Sequence, residues 1–453
     1  MRKSVYVLGT AAALALSLIG CGAKSASQGE THVSGNLTVR TDADSLADNS
    51  GFEVLLVSNL DGDLDTLGVT LTDSEGNFWL DVHVEQRGIY PLVISRAGQT
   101  LTIEEIVLAA GDSSRVRASF PLDGRTVRII SPENASWSAY NNTKAQHNKM
   151  VLDLVQSNPD YTEAEMGRAI GQTSSIYWGL QETFPGSFGS LVASAESIIM
   201  LDGWADSVAV ARATQIAATH PSKVQIVRAV RRSAARLGGQ NAAVGFVRSF
   251  MTGTDPEDDA ALLAEIVLAH MDSLQTPQAV AAARELQSGY AESQWSRWAA
   301  GAIYEVEHLL PGMPAPAFSV IDTEGRVIDN ETLRDQFFML EFFTPTHPLF
   351  QQELGLRQAI LNALPSDVFE AVSISLDPDP AYTEALLDGR DIMGRFVFDT
   401  DGRQGLVATA YNVNVIPTRI LIDPAGNIVR KYAGASLDEL EGDLADILDR
   451  LGR

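Results

Sequence analysis

The sequence predicts a multidomain α+β protein: an N-terminal β-sandwich over 31–135, a central α-helical region over 136–309, and a C-terminal α/β domain over 310–453. Three observations predict it. Apolar residues alternate with period two as far as residue 135, recur with helical period from there to 309, and thereafter switch between buried-strand and amphipathic-helix patterns. At 453 residues the chain is too long for one ordinary domain, and 45% hydrophobic content is enough to pack several cores.

Residues 1–20 carry Arg2 and Lys3, then an apolar run from Val5 to Ile19 with no acid, the pattern of a secretory signal. The run is short of the ~20 residues that span a bilayer comfortably. It ends in Leu18-Ile19-Gly20-Cys21, which resembles the bacterial lipobox. That resemblance implies cleavage before Cys21 and acylation of its sulfur. Several acyl chains make a stable anchor where one is marginal. Gly22 rather than aspartate follows the cysteine, which favours an outer membrane over an inner one and a location facing the periplasm. The stretch 21–30 is small and polar and is expected to be a tether. Cys21 is the only cysteine, so no disulfide is expected.

In 31–135 the candidate strands are 33–39, 52–60, 66–73, 77–84, 90–96, 100–109, 114–120 and 125–131. Turn signals such as Glu75-Gly76-Asn77 and Asp123-Gly124 separate them, and eight short strands at this spacing read as a sandwich. Asp61, Asp63 and Asp65 resemble a calcium loop faintly, but Thr66 and Thr72 stand where its glycine and closing acid belong, so a solvated turn is expected and no metal. In 136–309 the clearest helices are 209–218, 223–237, 260–271 and 278–287, with prolines near helix starts and seven or eight helices in all. His147, His220, His270 and His308 are scattered here without a second ligand at metal spacing and read as structural or surface residues. In 310–453, 337–343 and 368–376 read as buried strands and 396–398 as a short one. The segments 418–423 and 427–432 flank a Pro424-Ala425-Gly426 turn, and 437–451 is an amphipathic closing helix.

The motifs of this last region resemble those of the redoxins, the thioredoxin-fold group that contains TlpA-like membrane-anchored thiol–disulfide reductases and peroxiredoxins. Gly312-Met313-Pro314-Ala315-Pro316-Ala317-Phe318 resembles the opening G-x-x-A-P-x-F, and Asp322–Arg326 the D-x-x-G-K hairpin. Val372–Asp377 resembles the V-S-x-D strand. Tyr411-Asn412-Val413, Ile416-Pro417-Thr418 and Leu421–Gly426 resemble Y-x-V-x-x-I-P-T-x-x-L-I-D-x-x-G. The resemblance covers 310–453 and implies a thioredoxin-like domain. It implies a cis proline at Pro417, with the Ile416 carbonyl and the Thr418 backbone beside the active site as binding groups for extended polypeptide. In the N-terminal region, Gly88-Ile89-Tyr90, Leu108–Asp112, Pro132-Glu133-Asn134 and Tyr140 resemble the β-rich domain that precedes the redoxin module in Bacteroidetes-type lipoproteins.

The departure is chemical. The family's C-x-x-C follows the first core strand, and in that register His347 and Phe350 occupy the two cysteine positions. The peroxiredoxin pattern finds no thiol either. Disulfide exchange needs an attacking thiolate and peroxide reduction needs a sulfur to oxidise. Cys21 is remote and, by the lipobox resemblance, acylated. The leading expectation is therefore a non-redox, lipid-anchored pseudoenzyme that binds extended polypeptide or envelope partners through Ile416, Pro417 and Thr418. The alternative is an oxidoreductase or antioxidant-type enzyme that uses non-cysteine groups, with His347 and Glu341 as candidates, or an external thiol. A third reading makes the chain a purely structural envelope protein. His347 falls at a helix N-terminus, where a cation is disfavoured but a neutral imidazole can act as a base. Glu341 lies mid-strand at the family's buried-acid position and needs partners; His347 and Arg419 both qualify. No cofactor is implied.

Net charge is −25, or −27 once Arg2 and Lys3 are removed. This excludes tracking along nucleic acid. No basic patch for anionic lipid is visible in the sequence, so the acyl group alone is expected to hold the protein at a membrane.

Overall fold

The computed structural model describes residues 30–450 apart from 41–47, 61–62, 158–159, 217, 366, 391 and 435–436. The predicted signal 1–20, Cys21 and nearly all of the tether 21–30 lie outside the described residues, as does Asp61. The chain divides into two compact units between Leu262 and Leu263.

The first unit opens with eight strands: β1 (Thr31–Val39), β2 (Phe52–Leu60), β3 (Asp63–Leu71), β4 (Asn77–Val82), β5 (Gly88–Arg96), β6 (Gln99–Leu108), β7 (Ser113–Phe120) and β8 (Arg128–Ile130). They make two four-stranded sheets, ordered β4-β1-β7-β8 and β3-β2-β5-β6. Only the β1–β7 pair is parallel. Period-two alternation sets the faces. In β4, Phe78, Leu80 and Val82 point inward while Asn77, Trp79 and Asp81 point out. Both sheets feed one buried cluster, with Val33, Leu37 and Val116 from one and Phe52, Leu56 and Ile106 from the other. Asp63 and Asp65, expected in a turn, instead open β3, opposite Leu60 and Ser58.

Helices follow: α1 (Pro132–Ser157), α2 (Glu163–Thr183), α3 (Phe188–Ile199), α4 (Asp206–Ala213), α5 (Lys223–Arg248) and α6 (Pro256–Asp272). Asn134 shows why the Pro-Glu-Asn motif sits where it does. Its buried side chain accepts from the Val107 amide at 2.8 Å and donates to the Val107 carbonyl at 2.9 Å, so it pairs with β6 as another strand would. Glu133 accepts from the Phe188 amide at 2.6 Å at the start of α3. Helix α5 bends at Gly239, whose φ of 77° is open to glycine at little cost.

The division between units falls inside α6, so the predicted helical region 136–309 is shared between them. The second unit contains α7 (Thr276–Gly289), α8 (Gln294–His308), β9 (Ser319–Ile321), β10 (Val327–Asp329), β11 (Phe337–Phe343), α9 (Pro348–Ala363), β12 (Phe369–Ser375), α10 (Pro380–Leu387), β13 (Arg395–Phe398), α11 (Leu406–Ala410), β14 (Thr418–Ile422), β15 (Ile428–Ala433) and α12 (Leu437–Arg450). Its five-stranded sheet is ordered β13-β12-β11-β14-β15, parallel across the first three and antiparallel after them. Strands β9 and β10 form a separate hairpin. Helix α8 belongs to this sheet's unit by specific bonds: Glu305 accepts from Lys431 at 2.7 Å and from Asn412 at 2.8 Å, and Tyr304 donates to the Ala410 carbonyl at 3.1 Å. No helix among the described residues is long and apolar enough to cross a membrane.

One close approach fixes the N-terminal core. A Cβ on Gly35 would lie 2.2 Å from the Val116 carbonyl oxygen and 2.5 Å from the Phe78 ring. Gly35→Ala is expected to overpack this site and destabilise the first unit by about 1–3 kcal/mol. Thermal unfolding followed by the near-ultraviolet signal of the aromatic core checks this; an unchanged midpoint would show that the strands separate freely.

Candidate functional site

Strand β11 is a continuous apolar run, Phe337–Phe343, interrupted by one acid, Glu341. Period two sends Phe338, Leu340 and Phe342 to one face and Met339, Glu341 and Phe343 to the other, beneath α9. The register aligns Glu341 with Ser373 on β12 and Arg419 on β14, and extends the row to Phe396 on β13 and Tyr432 on β15. One transverse row of the sheet thus carries a polar stripe through an apolar layer.

Glu341 is fully buried, and Arg357 and Arg419 are each only 1% exposed. Arg419 Nε donates to Glu341 Oε1 at 2.8 Å; Arg357 Nε donates to Glu341 Oε2 at 2.7 Å, as does the Ser373 hydroxyl at 2.8 Å. Arg357 also donates to Ser373 Oγ at 2.7 Å and to the Met393 carbonyl at 2.9 Å, and its guanidinium lies 5.7 Å from the centre of the Phe396 ring. Burial alone would push the Glu341 carboxyl up. The charges and hydrogen bonds of the two arginines outweigh it and hold the group down at about 2. Burial would lower Arg419, but Glu341 and Glu353 hold it above its ordinary value. Arg419 Nη1 sits 2.9 Å from Glu353 Oε2 without hydrogen-bond alignment, and Nη2 has no partner among the described residues.

This geometry separates the two candidate catalytic residues. Both oxygens of Glu341 are engaged by arginine and serine, and His347 is not among its partners. Of the two partners weighed for Glu341, the structure supplies Arg419, and it adds Arg357. His347 takes the N-cap position of α9 without a side-chain capping bond, and its Nδ1 is buried with no hydrogen-bond partner. Phe350 is fully buried and stacks on Phe343 at 4.4 Å between ring centres, so the second cysteine position is occupied by core.

The other predicted residues gather at the same end of the sheet. Phe342 is opposite Thr418, which brings the loop after β11 and the segment before β14 together. The Ile416–Pro417 peptide is cis. The Pro417 carbonyl accepts from the Gly434 amide at 2.9 Å, and the Thr418 hydroxyl donates to the Val415 carbonyl at 2.7 Å. Thr418 is buried and registered with a strand on either side, so it supports the corner from within. Among the described residues, nothing hydrogen-bonds the Ile416 amide or carbonyl. Beside it Val415 is 48% exposed.

The scattered histidines have local partners. His220 is the one that most resembles a catalytic pair, with Nε2 3.0 Å from Ser194 Oγ. Its Nδ1 accepts from the Ser222 amide at 3.0 Å, so the proton is on Nε2 and the ring donates to the serine. It cannot also act as that serine's base. Burial holds its pKa down at about 4. His147 bonds Thr173 at 2.8 Å and His270 bonds Gln275 at 2.7 Å. Among the described residues no group of three or more His, Cys, Asp or Glu is placed to hold a metal ion.

No family model matches the chain. Among curated proteins it is similar to the thiol-disulfide oxidoreductase ResA of Bacillus subtilis (strain 168), with 25% identity over 142 residues covering 31% of this chain and 78% of the relative. It is also similar to ResA of Bacillus cereus, with 26% identity over 148 residues covering 32% and 84%. Among solved structures, a thiol-disulfide oxidoreductase from Bacteroides fragilis has 24% identity and a TM-score of 0.26, covering 29% of this chain and 98% of that one. StoA from Bacillus subtilis has 23% identity and a TM-score of 0.25, covering 28% and 93%. The relatives of this chain are thus thiol–disulfide oxidoreductases of thioredoxin fold, and the likeness takes in under a third of its length.

Removing one arginine from the stripe would leave a buried charge under-compensated. Arg357→Leu is expected to cost about 3–5 kcal/mol, read as a lowered urea midpoint for the second unit; an unchanged midpoint would mean that water reaches Glu341. Because folding lowers the Glu341 pKa from 4.5 to about 2, the folded unit binds fewer protons than the unfolded chain between those values. Its stabilisation should be complete above about pH 4.5 and fall away as the pH drops toward 2. Acid titration of the wild type against Glu341→Gln, followed by circular dichroism, checks this; parallel curves would overturn it.

Proposed function

We propose that the protein is a lipid-anchored envelope protein whose C-terminal thioredoxin-like domain binds extended polypeptide without redox chemistry. In this reading the N-terminal pair of sheets is a β-sandwich, and acylated Cys21 holds the chain at the outer membrane, facing the periplasm. The observation that carries the binding role is the corner formed by residues 415–417. There the backbone N–H and C=O of Ile416 lack partners within the described residues, beside exposed Val415. Unpaired backbone at the margin of a sheet is what an extended chain recognises, because main-chain hydrogen bonds supply affinity whatever the ligand's sequence.

The loss of redox chemistry rests on the two cysteine positions. A thiolate is the nucleophile in disulfide exchange. Here the first position is an imidazole whose buried Nδ1 has no hydrogen-bond partner among the described residues, and the second is a buried phenyl ring. Glu341, which could have oriented a base, is held by two arginines.

Insulin reduction with dithiothreitol as the electron source should proceed at the blank rate with wild-type protein and with His347→Ala. A rate above blank that His347→Ala abolishes would restore the enzyme reading. For binding, a photo-crosslinking residue in place of Val415 should capture a discrete polypeptide in cells, while the same probe in place of Val327, exposed on β10, should not. Equal labelling from the two sites, or none from either, would remove the binding role.

A further inference from the structure

The outer face of the β4-β1-β7-β8 sheet carries a second feature, independent of the C-terminal domain. Two transverse rows cross it. One reads Asn77, Asn36, Arg117, Arg128; the next reads Trp79, Ser34, Arg115, Ile130. Arg125 follows from the loop before β8, and Arg117, Arg125 and Arg128 share a concavity of about 490 Å³ with Asn36, Thr38 and Ser119. All four arginines are exposed, and none has an ion pair or side-chain hydrogen bond among the described residues. The nearby Asp123 is paired with Arg40 at 2.7 Å.

This arrangement is unfavourable in the free protein. Arg117 and Arg128 are direct cross-strand partners, and like charges directly opposite one another repel. The chain carries 58 acids against 33 lysines and arginines, so carboxylates to neutralise these arginines are plentiful in the sequence, yet none of the described ones reaches them. On the same face Ile130, 52% exposed, lies beside Arg115, and Trp79, 59% exposed, stands at the far end of that row beyond Ser34, its indole N–H donating to Asp81 at 2.9 Å. Guanidinium forks match phosphate oxygens two at a time, and an exposed tryptophan and isoleucine at the two edges of the face suit the boundary between headgroups and acyl chains.

We propose that this face docks on an anionic membrane surface, with the arginines on lipid phosphate groups and Trp79 and Ile130 at the headgroup boundary. The expectation of no basic patch does not hold in three dimensions. Strand register assembles one from arginines that the sequence spreads among acids. Attachment through Cys21 would bring the chain to a membrane; this face would decide how the first unit lies on it. The chain as a whole carries −25, so a local cluster of unpaired arginines is the part suited to an anionic surface.

The test compares full-length wild type with Arg117→Gln/Arg128→Gln in sedimentation with vesicles of phosphatidylcholine, with and without 30% phosphatidylglycerol. Both proteins carry the same N-terminus, so a difference between them reads the arginine face alone. Each arginine near an anionic surface is worth roughly fivefold in partitioning, so the double variant should bind the anionic vesicles at least about tenfold more weakly. The wild-type advantage should disappear on phosphatidylcholine alone and shrink as salt rises. Equal binding by the two proteins, or an equal wild-type advantage on both vesicles, would overturn the proposal. So would arginine-dependent binding of pyrophosphate in calorimetry with no vesicle difference, which would make the ligand a soluble phosphate. Arg115→Gln, which keeps the Arg117–Arg128 pair, provides a second variant expected to weaken vesicle binding. The double variant's thermal midpoint should be no lower than the wild type's, since a repulsive pair has been removed.

Discussion

A carboxylate sealed inside a sheet cannot stand alone, and much of the second unit is arranged around that constraint. Glu341 sits in the central strand of five, where an isolated charge would cost several kcal/mol even after relaxation. Two guanidiniums and a hydroxyl answer it from three different elements: α9, β14 and β12. Each contact is also a positional constraint. Arg357 sets how α9 lies across the sheet, since it also reaches the Met393 carbonyl ahead of β13. Arg419 ties β14 to β11 one residue beyond the Thr418 corner. Such a network is weak evidence for stability compared with a hydrophobic isostere. It does narrow the packings that α9 can adopt, because any other angle strands a charge.

The same helix explains what became of the family's reactive positions. In this chain Phe350 turns inward and stacks on Phe343, converting one of the two positions into core. His347 remains at the helix start with one ring nitrogen buried and unpaired. The thioredoxin-like sheet and its long helix are present, with an imidazole at the helix start and a phenyl ring packed one turn on. A fold by itself does not fix an activity, so under the proposed reading these two side chains are where the difference would lie.

Much of this was legible in the sequence, and the rest was lost for identifiable reasons. Strand β11 has the bounds its apolar run predicts, because a fully buried strand leaves a continuous signature. The eight N-terminal strands lie close to their predicted ranges, with β3 beginning three residues early, whereas only four of the seven or eight expected helices could be given bounds, and α4 lies about three to five residues upstream of its predicted range. Glu341 announced itself as a buried acid in need of a partner, and Arg419 was within reach of that reasoning. Arg357 was not, although its signal was present: it lies seven residues after Phe350 and four before Leu361, on the buried face of α9. A cation on an apolar stripe of one element implies an acid on another. The arginine face was illegible for a different reason. Arg115, Arg117 and Arg128 become neighbours only once the register of β7 and β8 is known, and composition had already been dominated by the acids. The split of the helical region was hidden because periodicity does not reveal which sheet a helix serves.

That split bears on inheritance. Helix α8 precedes the redoxin-like motifs, yet Glu305 binds Lys431 and Asn412, and Tyr304 closes on Ala410, from the far end of the chain. A gene segment that began at residue 310 would encode the recognisable motifs and leave Lys431 facing a gap. In this chain the packed unit therefore begins upstream of the motifs, in the helices. The motif-defined domain is a fragment of the unit that packs, and a fusion joint drawn at its edge would cut through an ion pair.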